Sequence, residues 1–479
     1  MDNSSINIDH SQFLKKFNIS WMWAIVFAIL PILSVFSIST ELDTFVIIAA
    51  IGGVLFAGIS IVFPKVWVYS TILLLPLYLI SRDTEINPME IAVYTYILSG
   101  LLFWFLSVLF IKREKFVYNI GDFMLILFIV MAFFNIFIAF LNEADMFKWF
   151  KEYSLYTLYL LYFPYRYYIK EKKDRDLLLI LLSISLVIIS FYQLNYIRQS
   201  TLVATYAYQL LSSLRINLTI ISFGALLGII GLFYFKNLGV RILMALQVIL
   251  GLAVVVTSFA RTTWIIEMFL IAMILLVLNR RQRIISSIVA SGFLVLLIAI
   301  FFTFFSNFDI YLRLISKKFL STTDGKKDIS VMARVYEYEA VWKAIEENPF
   351  SGNGLAKVYA HRNILTNPPT TLRKAFTHNS FLQLLYGVGL PTTIAMSFFL
   401  FYYTFISFKF LFAKKSTSYL SKFYPFLAFS GFFISIVHSL VSSQLLAKET
   451  IILIVISCLL TNFAIVENSK TTPELPQSI

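Results

Sequence analysis

The chain has 479 residues and a formal charge of +13, with 59% hydrophobic, 17% aromatic and only 14% charged residues. A soluble domain carries about 25% charged residues, so this composition excludes an ordinary soluble protein, and recurrent apolar runs of about twenty residues read as bilayer-spanning helices. The runs lack the alternation of membrane barrel strands, and a single cysteine, Cys458, leaves neither a disulfide framework nor a thiolate metal site.

The basic excess is read as loop charge on the cytoplasmic side rather than as a nucleic-acid footprint, so no nucleic-acid partner is expected. The N-terminal MDNSSINIDHSQFLKKFNIS is too long for a signal-peptide n-region, and no small-residue cleavage site follows the first apolar run, which is expected to stay as a helix. Breaking the apolar runs at charges predicts an all-α, polytopic bundle of about 12–14 transmembrane helices. The spans are 21–40, 44–63, 66–81, 89–111, 120–141, 153–169, 177–197, 216–235, 241–258, 262–279, 284–305, 391–412, 423–446 and 450–466. The Tyr-rich YSLYTLYLLYFPYRYY is read as interfacial packing, with an aromatic-lined glycan or lipid path as the alternative.

Orientation follows from Lys and Arg in the short loops. With the N-terminus cytoplasmic, the inner segments hold Lys15-Lys16, Lys112-Arg113-Lys115, Lys170 to Arg175, Lys236 with Arg241, Arg280 to Arg283, and Lys414-Lys415-Lys422. The alternate loops TELD, RDTEINP, NEADMFKWFKE and AKE are acidic or poor in basic residues. The expected organisation is a cytoplasmic segment 1–20, a first membrane bundle 21–305, an extracytoplasmic loop 306–380, re-entry and C-terminal membrane helices over 381–466, and a cytoplasmic tail 467–479.

A hydrophilic connection of that length among short loops marks function. Within it Val331, Val335, Tyr338, Trp342 and Ile345 follow a 4-3-4-3 spacing, which predicts an amphipathic helix. It ends at Asn348-Pro349, and the glycines of SGNGL permit a tight turn.

No P-loop, dinucleotide fingerprint, His-Glu-x-x-His or cysteine pair is present, so neither a cofactor nor a tightly held metal is expected. What stands out is cationic: Arg215 at the outer start of a span, Arg261 at the outer end of another, Arg334 on the loop helix, and His378 at the re-entry. Arginine matches phosphate oxygens bidentately and stays charged, which suits a lipid diphosphate. A neutral histidine beside it can take a proton from an attacking hydroxyl. Against this, lone arginines at helix ends commonly snorkel to the interface; for Arg215 the two readings weigh equally. Glu267 and His438, inside spans, are expensive there and indicate packing partners or a proton relay. They are the features that favour a transporter.

These residues lie in three segments: TSFARTTW (257–264), ARVYEYEAVWKAIEENPFSGNGL (333–355) and THNSFLQLLYGVGL (377–390), with SLRINLT (213–219) as a weaker fourth. Together they resemble the O-antigen ligase and O-antigen polymerase superfamily of membrane glycosyltransferases. The resemblance implies a metal-independent enzyme of the cytoplasmic (inner) membrane, N-in and C-in, acting at the extracytoplasmic face. Its donor would be an undecaprenyl-diphosphate-linked glycan, and its acceptor another glycan or a lipid A core. It implies Arg261 and Arg334 on the diphosphate and His378 on the acceptor hydroxyl, with Arg215, Asn379, Gly352 and Gly354 contacting substrate. The span count and the lack of any feature assignable to a lipid A core lean toward a polymerase over a ligase. A polysaccharide flippase or other secondary transporter is the alternative, although no internal repeat of the kind such proteins carry is visible.

Overall fold

The apolar runs fold as helices, and short polar side chains fix where several begin. The computed structural model describes residues 63–80, 88–203, 215–258, 260–284, 329–363, 370–413 and 419–470. The expected spans 21–40, nearly all of 44–63 and of 284–305, and the loop segment 306–328 lie outside the described residues. Fourteen α-helices occur among those described: α1 Pro64–Leu73, α2 Leu75–Ile80, α3 Pro88–Leu106, α4 Ile120–Leu141, α5 Met146–Thr157, α6 Tyr162–Tyr168, α7 Lys172–Val203, α8 Leu218–Tyr234, α9 Leu238–Thr257, α10 Arg261–Val277, α11 Ile329–Glu347, α12 Ser380–Leu411, α13 Tyr419–Val441 and α14 Lys448–Lys470. Among the described residues, seven helical stretches are long and apolar enough to cross a membrane. The protein is a polytopic all-α membrane protein. Asn119, Asp145, Asn237 and Asn379 cap α4, α5, α9 and α12 by accepting from the first free backbone N–H groups.

Several boundaries differ from expectation for local reasons. The span 66–81 is two helices broken at Leu74, just before Pro76, which has no N–H to continue the ladder. The Tyr-rich span is α5, a 3₁₀ turn Leu158–Leu161 and α6. Its tyrosines Tyr156, Tyr159, Tyr162 and Tyr165 are buried. Tyr159 donates to Leu445 O at 3.1 Å, and Tyr162 and Tyr165 meet Tyr403 and Thr71 at 2.7 and 2.5 Å. This is packing, not an open path.

Contacts sort the helix ends into two sets. At one end Lys65–Asp174 (2.7 Å), Arg166–Asp122 (2.8 Å) and Arg175–Glu467 (3.3 Å) form ion pairs, where the Lys- and Arg-rich loops gather. At the other end Asn217 Nδ2 donates to Leu79 O (3.0 Å), Asn142 Nδ2 to Asn353 O (3.0 Å) and Ser380 Oγ to Ser442 O (2.9 Å). Deeper in the bundle α8 and α9 approach closely: a Cβ on Gly228 would stand 2.8 Å from Met244 O, the small-residue contact that membrane helices favour.

The loop beyond 329 carries α11 and a hairpin the sequence did not announce, β1 Tyr359–Asn363 and β2 Thr370–Lys374, antiparallel with Tyr359 opposite Lys374. The buried face of α11 is also not the expected one. Val335 and Trp342 are exposed, Val331 lies outside the described side chains, and Glu337, Val341 and Ile345 are buried. Val341 and Ile345 pack with Tyr359 of β1 and Tyr386 of α12. The apolar pattern misplaces this face because a carboxylate occupies it, and that carboxylate has partners.

Candidate active site

The site is built on a main-chain knot. Asn353 N donates to Tyr386 O (2.7 Å), Gly354 N to Gly387 O (2.9 Å) and Leu390 N to Pro349 O (2.9 Å), so SGNGL pairs edge to edge with the YGVGL segment of α12. At Gly389 (φ 78°, ψ 175°) α12 is broken, and a Cβ there would lie 2.0 Å from Phe350 O. Asn135 of α4 closes the knot: its Nδ2 donates to Gly387 O (3.0 Å) and Ser351 O (3.3 Å), and its Oδ1 accepts from Leu355 N (2.9 Å). Gly352 and Gly354 are buried in this knot at φ 70° and 98°. Their Cβ positions are filled by backbone of Gly387, Gly389 and Ala139, which gives them a packing role. Helix α12 starts eleven residues before the expected span, at the cap Asn379, whose Nδ2 donates to Leu440 O at 3.3 Å.

That cap aims the preceding residue. His378 is half-exposed, its backbone carbonyl accepting from Tyr338 OH at 3.1 Å. Glu337 grips it twice: Oε1 accepts from His378 N (2.8 Å), and Oε2 stands 2.8 Å from His378 Nδ1. Tyr359 OH (3.3 Å) and Lys374 Nζ (3.5 Å) complete the surroundings of the carboxylate. Burial alone would push the Glu337 carboxyl up, but the His378 ring and backbone N–H together with Lys374 outweigh it and hold the group at about 2. Among the described residues Nε2 of His378 has no hydrogen-bond partner.

The sequence reading missed Glu337. The signal was its place one turn after Arg334, since residues at i and i+3 share a helix face.

Arg261 begins α10, and its motif explains its position. Ser258 Oγ accepts from Ala260 N (3.2 Å), and Trp264 Nε1 folds back to Val255 O (2.8 Å), fixing the short turn from α9. Arg215 stands at the rim of the same end, in the turn before α8. Loss of solvent among crowded protein atoms, then the charges of Arg334 and Arg261, lower its guanidinium pKa. Arg334 and Arg261, from two other segments, thus come within electrostatic reach of Arg215. Neither Arg215 nor Arg334 has an ion-pair partner among the described residues.

His438 ties the two membrane arginine segments together. Its Nδ1 meets Thr219 Oγ1 and its Nε2 meets Thr263 Oγ1, each at 3.2 Å. These threonines lie four and two residues beyond Arg215 and Arg261. Ser442 Oγ in turn donates to His438 O (2.9 Å), and Ser442 O accepts from Ser380 Oγ. A hydrogen-bonded chain therefore runs from α10 through α13 to the start of α12 beside His378. One turn deeper, Ser222 of α8 donates to Glu267 of α10. Both intramembrane titratable groups have helix-to-helix partners.

Beside the hairpin a cavity of about 620 Å³ is lined by residues including Glu143, Asp145, Lys357, Tyr359 and Arg373. Tyr359 separates it from Glu337.

No curated protein matches the chain. Residues 246–397 match the family model described as O-antigen ligase, a stretch that contains Arg261, Arg334, Glu337, the glycine knot and His378 and stops short of Arg215. The match covers about a third of the chain, and over these residues the chain is similar to the O-antigen ligase family.

Proposed function

We propose that the protein is an inner-membrane glycosyltransferase that moves a glycan from an undecaprenyl-diphosphate carrier to a glycan or lipid A core acceptor at the extracytoplasmic face. The observation that carries this reading is that Arg334 and Arg261 act electrostatically on Arg215, while Glu337, one turn from Arg334, holds His378 through its backbone N–H and Nδ1. Arg261 and Arg334 bind the diphosphate, and Arg215 adds charge at the rim. Each guanidinium offers a planar fork to phosphate oxygens. His378 Nε2 takes the proton of the acceptor hydroxyl. The freed oxygen attacks the anomeric carbon opposite the carrier, the bond from that carbon to the diphosphate oxygen breaks, and the electron pair leaves with the diphosphate. The arginines stabilise the charge that develops there, and configuration at the anomeric carbon inverts.

The acceptor glycan is assigned to the polar cavity beside Tyr359, where Glu143 and Arg373 can exchange hydrogen bonds with sugar hydroxyls. The alternation of basic and acidic loops supports placing this end of the bundle outside, with both termini in the cytoplasm. In cells, His378→Ala and Arg261→Ala should each abolish the surface polysaccharide, as long chains or as attached chains, while protein levels persist. Normal polysaccharide in both variants removes this reading. Loss of chain length with single units still attached assigns a polymerase; loss of attachment with long chains still made assigns a ligase.

A further inference from the structure

We propose that Glu337 is a positioning residue that sets the tautomer and orientation of His378; this rests on the reading of His378 as the acceptor-activating base. The carboxylate is buried and is met by the His378 backbone N–H and ring Nδ1 at 2.8 Å each and by Lys374 Nζ at 3.5 Å, with Tyr359 OH nearby at 3.3 Å but closer to Phe376 O at 2.8 Å. Two donors at 2.8 Å and the Lys374 ammonium favour the ionised form of this group. An ionised carboxylate only accepts hydrogen bonds, so the nitrogen facing it, Nδ1, carries the proton. Nε2 then holds the lone pair, and among the described residues it has no hydrogen-bond partner. This is the logic by which a partner on one ring nitrogen sets the chemistry of the other.

Gripping both the backbone N–H and the ring nitrogen also leaves the imidazole little freedom to turn. When Nε2 takes the acceptor's proton, the ring becomes an imidazolium whose charge is met by the same carboxylate. The proton leaves Nε2 after the diphosphate departs, so Glu337 itself is never protonated. Lys374, Tyr359, Tyr338 and the more distant His361 are the other titratable groups around this carboxylate. Because Glu337 sits one turn from Arg334, a single rigid helix places both the base-orienting carboxylate and a diphosphate-binding arginine. Seating of α11 against Tyr359 and Tyr386 would complete both halves of the site together.

The test uses full-length protein in lipid nanodiscs with a lipid-diphosphate-linked glycan donor and a glycan acceptor. A glutamine side chain in place of Glu337 would point its amide N–H₂ or carbonyl at a ring nitrogen that needs a permanent acceptor. Glu337→Gln should therefore lower kcat about 100-fold, the scale of general-base catalysis, with donor KM changed less than threefold. Activity within threefold of wild type overturns the proposal, as does a loss expressed only in donor KM. A measurement that needs no variant of Glu337 keeps the idea exposed if Glu337→Gln fails to fold. The chain has four histidines, so ¹⁵N-histidine spectra resolve few rings, and His378→Ala identifies its own signal. The expected signature is Nδ1–H with an unprotonated Nε2; a ring carrying Nε2–H at the working pH overturns the proposal. If His378→Ala is itself fully active, the glycosyltransferase reading fails. If it is inactive while Glu337→Gln is normal, only the positioning role fails.

Discussion

Arg334 and Glu337 lie one helical turn apart on α11, and through Glu337 the loop helix holds His378 by two contacts of 2.8 Å. The arginine proposed to bind the leaving group and the carboxylate behind the proposed base thus belong to one element. That element is fixed by the hairpin and by the first half of α12, so the separation of the two groups is set by helix geometry rather than by a mobile loop.

Arg334→Lys keeps the charge and removes the planar fork. Bidentate phosphate contact predicts a rise in donor KM of about tenfold or more, since 1.4 kcal/mol is one such factor, with folded protein unchanged. Steady-state transfer kinetics at varied donor concentration decide it; wild-type kinetics would reduce Arg334 to a positional charge.

The glycine knot predicts a sharp contrast between neighbours. Gly389→Ala places a methyl 2.0 Å from Phe350 O at φ 78°, and Gly354→Ala places one 2.5 Å from Ala139 Cα at φ 98°. Backbone cannot yield as a flexible side chain can, so each should cost more than about 3 kcal/mol and remove most monodisperse protein from a detergent extract. Gly387→Ala meets only the end of Leu355 at 3.2 Å and should extract at near wild-type yield. Equal yields for Gly389→Ala and Gly387→Ala would contradict this packing.

The intramembrane polar groups separate catalysis from transport. Glu267→Gln keeps an acceptor for Ser222 and should leave transfer within about threefold of wild type. His438→Ala cuts the link between Thr219 and Thr263 and should raise donor KM by letting the arginine segments drift. Transfer assays on both variants test this; a large loss in Glu267→Gln alongside a harmless His378→Ala would favour proton-coupled transport.

Two carboxyls give opposite pH signatures. Glu337 is depressed to about 2 from an ordinary value of about 4.5, so its stabilisation is full above about 4.5 and is lost as pH falls toward 2. Glu152, which accepts from Ala356 N at 3.2 Å, is pushed up to about 7 by burial. A raised carboxyl keeps its proton in the fold while the unfolded chain releases it, so stability falls as pH rises from about 4.5 to 7. Glu152→Gln still accepts from Ala356 and should melt higher than wild type at pH 8, with no difference at pH 4. Melting of the purified protein from pH 8 down to below pH 4 checks both signs.

Part of the candidate site was legible in the sequence from residue type and place. Arg261 and Arg215 stood out at span ends and Arg334 on the loop helix, and His378 headed an apolar run. Glu337 was hidden because a carboxylate in an acidic, exposed-looking stretch (EYEAVWKAIEE) shows its burial only when His378, forty-one residues later, arrives beside it. The same long-range partner explains why the buried face of α11 was assigned to Val335 and Trp342. The hairpin escaped for a similar reason, since its strands are short and its support is the loop helix rather than a period of its own. Glycines expected near substrate proved to be where backbone meets backbone, a role that turn chemistry alone cannot distinguish.

The most direct test of the central claim follows the donor itself. Purified protein in nanodiscs is given a lipid-diphosphate-linked glycan and an acceptor, and the anomeric linkage and free lipid diphosphate are measured together. Wild type should release one lipid diphosphate for each glycan transferred, with inverted configuration, and His378→Ala should release none. A donor that stays intact while crossing to the other leaflet would contradict the account.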